Sequence, residues 1–329
     1  MKRKTLAVII ILSALTVLLS VSGLMSGSVR LSLREALSGL FTGEGSAGVI
    51  VGKLRLPRVL GALLSGIALS TAGVLLQSAT GNDLCSPNVT GMNAGSGLLV
   101  MAVLCFLPSL IPIIPVFAFF GSLLAVTLVI LIGESVPAYG RKTTVILAGV
   151  AVGALFNAGI SFLSQAYPDV LGSYVFFSTG GFSGVRLSEL PVPALIILLC
   201  FVLSFVLAPS LELFCLGDEL AANSGVNVRR TRISALLLAS ALTAASVSYA
   251  GLLGFVGLIV PHMAGRLVGR KIRLLLPVSA LAGASLCVLS DLLGRTLFAP
   301  SEVSAGVFLN LLGAPFFIFL LLRRKKDNA

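Results

Sequence analysis

The chain has 329 residues, 57% of them apolar and only 11% charged, and a formal net charge of +11. A soluble globule carries roughly a quarter charged residues, so this composition excludes one and indicates a multi-span membrane protein. The positive charge falls in short clusters between apolar runs rather than on one basic face, which reads as a topology signal beside anionic lipid headgroups and not as a nucleic-acid surface.

In chain order, Met1–Lys4 is a basic flank to the apolar run Leu6–Val21. That run is longer than the h-region of a signal peptide, so it reads as a first span with the N-terminus inside. A polar excursion through Arg30, Arg34 and Glu44 follows. Further apolar runs lie at about 57–80, 91–108, 113–134 and 143–166, separated by Gly81-Asn82-Asp83, Pro108–Pro112 and Pro137–Lys142. Pro168–Leu190 reads as an external loop with a short interfacial helix, and a sixth run covers about 191–209.

The longest polar interruption is 212–232, ELFCLGDELAANSGVNVRRTR. Carboxylates in a first turn complement exposed N–H groups, so Gly217-Asp218-Glu219 reads as a helix start, and Ser224-Gly225 as its stop. The expectation is a short helix outside the bilayer, a handle for a soluble partner. Beyond it, Ile233–Val268 is too long for one span and is broken by Gly251, Gly254, Gly257 and Pro261, giving a full helix and a shorter one near 255–268. Runs at about 274–294 and 305–322 end at Arg323-Arg324-Lys325-Lys326. The expected class is therefore all-α, a single integral membrane domain over 1–329 with about ten spans and both termini cytoplasmic.

Counting Lys and Arg against this topology places sixteen inside (Lys2, Arg3, Lys4, Arg141, Lys142, Arg229, Arg230, Arg232, Arg266, Arg270, Lys271, Arg273 and the four at the C-terminus). Seven fall outside: Arg30, Arg34, Lys53, Arg55, Arg58, Arg186 and Arg295. The excess obeys the positive-inside rule. The stretch from Ala62 to Gly73 also resembles that from Ala235 to Ser246, each after an arginine cluster and entering from opposite sides. This is the pattern of an inverted repeat, with halves near 50–166 and 226–322.

Covalent chemistry has no constellation to work with. The chain carries no phosphate-binding GxxxxGK[ST], no HExxH and no CxxC; its cysteines, Cys85, Cys105, Cys200, Cys215 and Cys287, are widely spaced, and His262 is the only histidine. No cofactor and no metal site is implied, and His262 reads as a packing and hydrogen-bonding residue. An ion-coupled carrier needs a carboxylate in its pathway. Asp291 is the one candidate, and a helical i,i+4 pair with Arg295 is the competing role.

The run LRLPRVL at 54–60, QSATGNDLCSP at 77–87, LGDELAANSGVNV at 216–228, GLLGFVGLIVPHMAGRLVG at 251–269 and LLGAPFFIFLL at 311–321 resemble the FecCD/BtuC-type permease subunits of ABC importers for iron–siderophore complexes, haem and cobalamin. The resemblance spans nearly the whole chain in order. It implies a pair of permease subunits, of one kind or two, with two cytosolic ABC ATPases, an extracytoplasmic substrate-binding protein and surrounding membrane lipid as partners. It assigns ATPase coupling to the loop after the sixth helix, here Leu216, Gly217, Asp218, Glu219, Ala221 and Gly225. Binding-protein docking would fall to Arg55, Arg58 and Arg295, for which headgroup anchoring is the alternative. A cytosolic gate would fall to Asn82 and Leu84 together with Thr143 and Thr144, with turn and cap chemistry as the alternative there. Asp83 and Cys85 depart from the family's more usual Asn-Pro-Leu-Ala. The implied function is translocation of a bulky metal chelate without a covalent step. An ion-coupled carrier, or a same-family importer of a smaller cargo such as molybdate, is the alternative.

Overall fold

The computed structural model describes residues 2–27, 29–42, 45–135, 141–214 and 217–327, and among them it contains helices and turns but no strand. Helix α1 (Lys2–Met25) is followed by α2 (Leu33–Thr42) and the single turn α3 (Gly45–Gly48), which leads through a π-helical stretch, Val49–Arg55, into α4 (Leu56–Thr80). Then come α5 (Met92–Phe106), α6 (Ile114–Ser135), α7 (Arg141–Ala166), the short α8 (Leu171–Thr179) and α9 (Pro191–Phe214). The remainder is α10 (Asp218–Asn223), α11 (Val228–Ala250), α12 (Val256–Val268), α13 (Ile272–Thr296) and α14 (Ala305–Asp327). Among the described residues seven segments are long and apolar enough to cross a bilayer, while α5, α12 and the Ala305–Ile318 part of α14 are shorter apolar helices. Every expected run is helical.

Two stretches differ from expectation. The polar excursion before α4 is itself largely helical. Its first helix starts with a capping box, in which the Ser32 N–H donates to Glu35 Oε2 at 2.8 Å and the Glu35 N–H donates to Ser32 Oγ at 3.3 Å. Helix α9 also continues through Pro209 to Phe214 rather than ending near 209. The reason lies in packing, since Ala208, Leu211 and Phe214 carry its buried face past the proline.

Helix α4 is the hub, packed against α13, α11, α12 and α9. Apolar side chains gain little by leaving lipid for protein, so helices in membranes associate through close packing of small residues and through hydrogen bonds. Gly66 meets the Gly283 carbonyl on α13, and Gly73 meets the Gly257 carbonyl on α12, so closely that a Cβ at either would overlap backbone. Gly95 and Gly121 bring α5 and α6 together in the same way. Between α4 and α11 a hydroxyl knot adds polar contact: Ser246 Oγ donates to Ser65 Oγ at 2.9 Å, Ser65 Oγ to Tyr249 Oη at 2.8 Å, and Tyr249 Oη to the Gly61 carbonyl at 3.1 Å. Outward-facing Val192, Leu195, Leu199, Val202 and Val206 form an exposed apolar row on α9, the kind of surface lipid covers.

These contacts define two ends. At one, the close of α4, the start of α11 and the start of α13 gather around α10. At the other, the close of α1 and of α13 meets the start of α4, with α8 nearby.

Candidate functional site

Helix α10 is held at both ends by backbone geometry. Gly217 precedes it at φ 105° and Gly225 follows at φ 85°, in the region that favours glycine. The Val226 N–H donates to the Ala221 carbonyl at 3.1 Å and the Gly225 N–H to the Ala222 carbonyl at 2.9 Å, the paired bonds of a Schellman stop. Asn227 then caps α11, its Oδ1 accepting from the Arg230 N–H at 3.0 Å. The six-residue helix thus has a fixed length and a fixed exit.

Its tether is Arg232, a residue that charge counting treats only as a topology marker. Arg232 is 4% exposed. Its Nη2 donates to Asp218 Oδ2 at 2.7 Å, its Nε donates to the Ala79 carbonyl at the end of α4 at 3.0 Å, and its guanidinium lies 5.6 Å from the Phe214 ring centroid. One side chain therefore joins α10 to α4, α9 and α11. Ala221 faces inward, fully buried, while Glu219 and Leu220 face out, Leu220 at 56% exposure. Leu216 lies outside the described residues.

Asn82 and Leu84 occupy the turn after α4, where Asn82 Oδ1 accepts from the Leu84 N–H at 2.9 Å. Thr144 is buried in the first turn of α7; Thr143 shares that turn, with its side chain outside the described set. All four positions fall at the α10 end. The atypical Asp83 is paired with Arg270 at 2.7 Å, so the α4–α5 turn is tied to the α12–α13 turn. Glu134 on α6 is likewise paired with Arg229 on α11. A cavity of about 720 Å³ opens here between Gln77, Asp83, Gly217, His262 and Arg266.

At the α8 end the three predicted arginines have different fates. The Arg55 guanidinium donates to the carbonyls of Leu24 and Met25, both at 2.8 Å, and to that of Val29. Arg295 Nη2 donates to the Gly23 carbonyl at 2.6 Å. The last carbonyls of a helix lack intrahelical partners and sit at its negative dipole end, so both cations cap α1 and are buried in doing it, at 5% and 3% exposure. Neither guanidinium is turned outward. Arg58 is divided, with Nε on Asp291 Oδ1 at 2.7 Å and Nη1 on Glu302 Oε2 at 2.8 Å. Asp291 also contacts Arg295 at 3.3 Å, the expected i,i+4 pair, and its carboxylate is enclosed by two cations.

Sequence reading missed Arg232 as a tether and Glu302 as a partner of Arg58. Burial of a basic residue inside a positive-inside cluster leaves no one-dimensional mark. Glu302 lies 244 residues from Arg58, and nothing local in the sequence joins the two.

The model of the FecCD transport family matches residues 13–323. The Fe(3+)-citrate import system permease protein YfmE of Bacillus subtilis is 35% identical over 97% of this chain and 96% of its own. The hemin transport system permease protein HmuU of Yersinia pestis is 36% identical over 84% of each. A solved structure of a metal-chelate type ABC transporter in an inward-facing conformation superposes with a TM-score of 0.85 at 28% identity, covering 96% of this chain and 99% of the other. The chain therefore belongs to the FecCD transport family and is a multi-pass permease subunit of an ABC importer.

Proposed function

We propose that this permease moves a ferric chelate, such as a citrate, siderophore or haem complex, across a prokaryotic cytoplasmic membrane as half of a paired channel. ATP hydrolysis resides on two separate cytosolic ATPases, and cargo arrives on an extracytoplasmic binding protein. The observation that carries the reading is α10: a capped helix of fixed length, exposed through Glu219 and Leu220 yet tied by Arg232 to the end of α4. A force on α10 then reaches the hub helix through one short, charge-assisted contact.

The excess of basic residues supports an orientation with the α10 end and both termini in the cytoplasm. Asn82, Leu84, Thr143 and Thr144 would form the inner gate at that end, and the α8 end, with Arg55, Arg58 and Arg295, would receive the binding protein. An inverted repeat fits the running directions: α4 and α11 pass in opposite senses, and each precedes a short helix, α5 or α12. The ion-coupled alternative loses its residue, because Asp291 is already held by Arg58 and Arg295.

The test is co-purification of the tagged permease with the ATPase encoded beside it. Wild type should retain the ATPase, and replacement of Gly217, Asp218 and Glu219 together should lose it while the permease still elutes as a folded species. Absence of any ATPase on folded wild type would overturn the proposal.

A further inference from the structure

A cavity of about 560 Å³ lies at the α8 end between the π-helical stretch, the α8–α9 connection and the close of α13. Among the described residues its charged lining is one-sided: Lys53, Arg55, Arg58, Arg186 and Arg295 against the single acid Glu302. The five cations are not equivalent. Arg55 and Arg295 are buried and committed to the carbonyls of α1 and its exit. Arg58 has its Nε committed to buried Asp291, but its Nη1 rests on Glu302, whose side chain is 42% exposed. Lys53 and Arg186 are exposed, and neither takes part in an ion pair among the described residues.

We propose that this groove seats carboxylates of the extracytoplasmic binding protein, that Lys53 and Arg186 are the residues that capture them, and that Glu302 holds Arg58 in reserve by occupying a partner carboxylate's place. The inference rests on the docking reading above and moves its residues. Exposed rim cations steer an acidic partner and set the rate of encounter, whereas Arg58 and Arg295 are offset by Asp291 and Glu302 and the Arg55 guanidinium is buried against backbone carbonyls, out of a partner's reach. Glu302 supplies the internal precedent, a carboxylate bound in the groove at hydrogen-bond distance. Its partial exposure lets water and a competing carboxylate reach the same guanidinium. Leu54, 61% exposed between Lys53 and Arg55, gives an apolar contact beside the charges. A concave site that already holds a carboxylate favours a protein acid over a lipid phosphate.

The experiment uses the permease–ATPase complex in phosphatidylcholine nanodiscs and the purified substrate-binding protein encoded beside the permease, with association rates read across a salt series. Lys53→Glu with Arg186→Glu should slow association on the order of tenfold or more at low salt and flatten its salt dependence. Lys53→Ala with Arg186→Ala, which only removes exposed charge, should act in the same direction by less, and Glu302→Gln should speed capture. If the double reversal leaves capture at the wild-type rate while Arg58→Glu abolishes it, the docking reading stands and the assignment to Lys53 and Arg186 falls. If none of these variants changes capture, docking at this end falls as well. Capture that needs anionic lipid in the disc, and ignores Lys53 and Arg186, would also overturn the assignment.

Discussion

Asp291 is 1% exposed and faces two guanidinium groups. Removing one partner of a buried ion pair leaves the other charge without compensation, which costs about 3–5 kcal/mol. Asp291→Ala should therefore lower the melting temperature of the detergent-solubilised permease markedly. A melting temperature equal to wild type would mean that the carboxylate is not structural. The same residue decides between energy sources. Uptake into proteoliposomes containing the complete complex should persist when a proton ionophore is added, because a carboxylate locked between arginines is not a proton carrier; collapse of uptake would return Asp291 to the pathway. Arg232 makes the parallel case at the other end. Arg232→Leu removes the anchor of Asp218 and the cap on Ala79, and should weaken ATPase co-purification even though the residue is 4% exposed and cannot itself touch the partner.

Helix pairs in this protein are spaced by glycine, so their stability is set where two backbones touch. Gly66 on α4 and Gly283 on α13 are in mutual contact, and added volume at such a seam forces the backbones apart at a cost of typically 1–3 kcal/mol. Gly66→Ala should destabilise the detergent-solubilised protein by about that amount. Gly52→Ala in the π-helical stretch meets nothing within 4 Å and should leave the melting temperature unchanged. Equal effects from the two would show that the α4–α13 seam is not close-packed. Much of this scale was legible in the sequence, because hydropathy and turn residues mark each apolar run, and the Gly217-Asp218-Glu219 start and Ser224-Gly225 stop delimit α10 by local chemistry alone. What was not legible depends on contacts between distant segments. Arg55 and Arg295 look like surface cations in one dimension, and only the arrival of α1's C-terminus 30 residues before Arg55 turns both into caps.

At the level of the whole molecule, the two ends carry different chemistry on one bundle. The α10 end offers a rigid exposed helix tied to the hub, and the α8 end offers a basic groove whose buried members hold α1 in place. Such a division has meaning only if the ends face opposite compartments, and the proposed direction rests on the sixteen-to-seven distribution of basic residues. Burial of Arg232, Arg55 and Arg295 removes one charge from the first group and two from the second, leaving the excess intact. Ser224 follows α10 and Ser183 follows α8, and both are exposed. In a background where the native cysteines are silent to a membrane-impermeant maleimide, Ser183→Cys should be labelled in intact cells. Ser224→Cys should react only after the membrane is opened. The reverse pattern would invert the molecule and with it the assignment of motor and binding-protein ends. Labelling of both in intact cells would mean that α10 does not lie in the cytoplasm and cannot be the ATPase's handle.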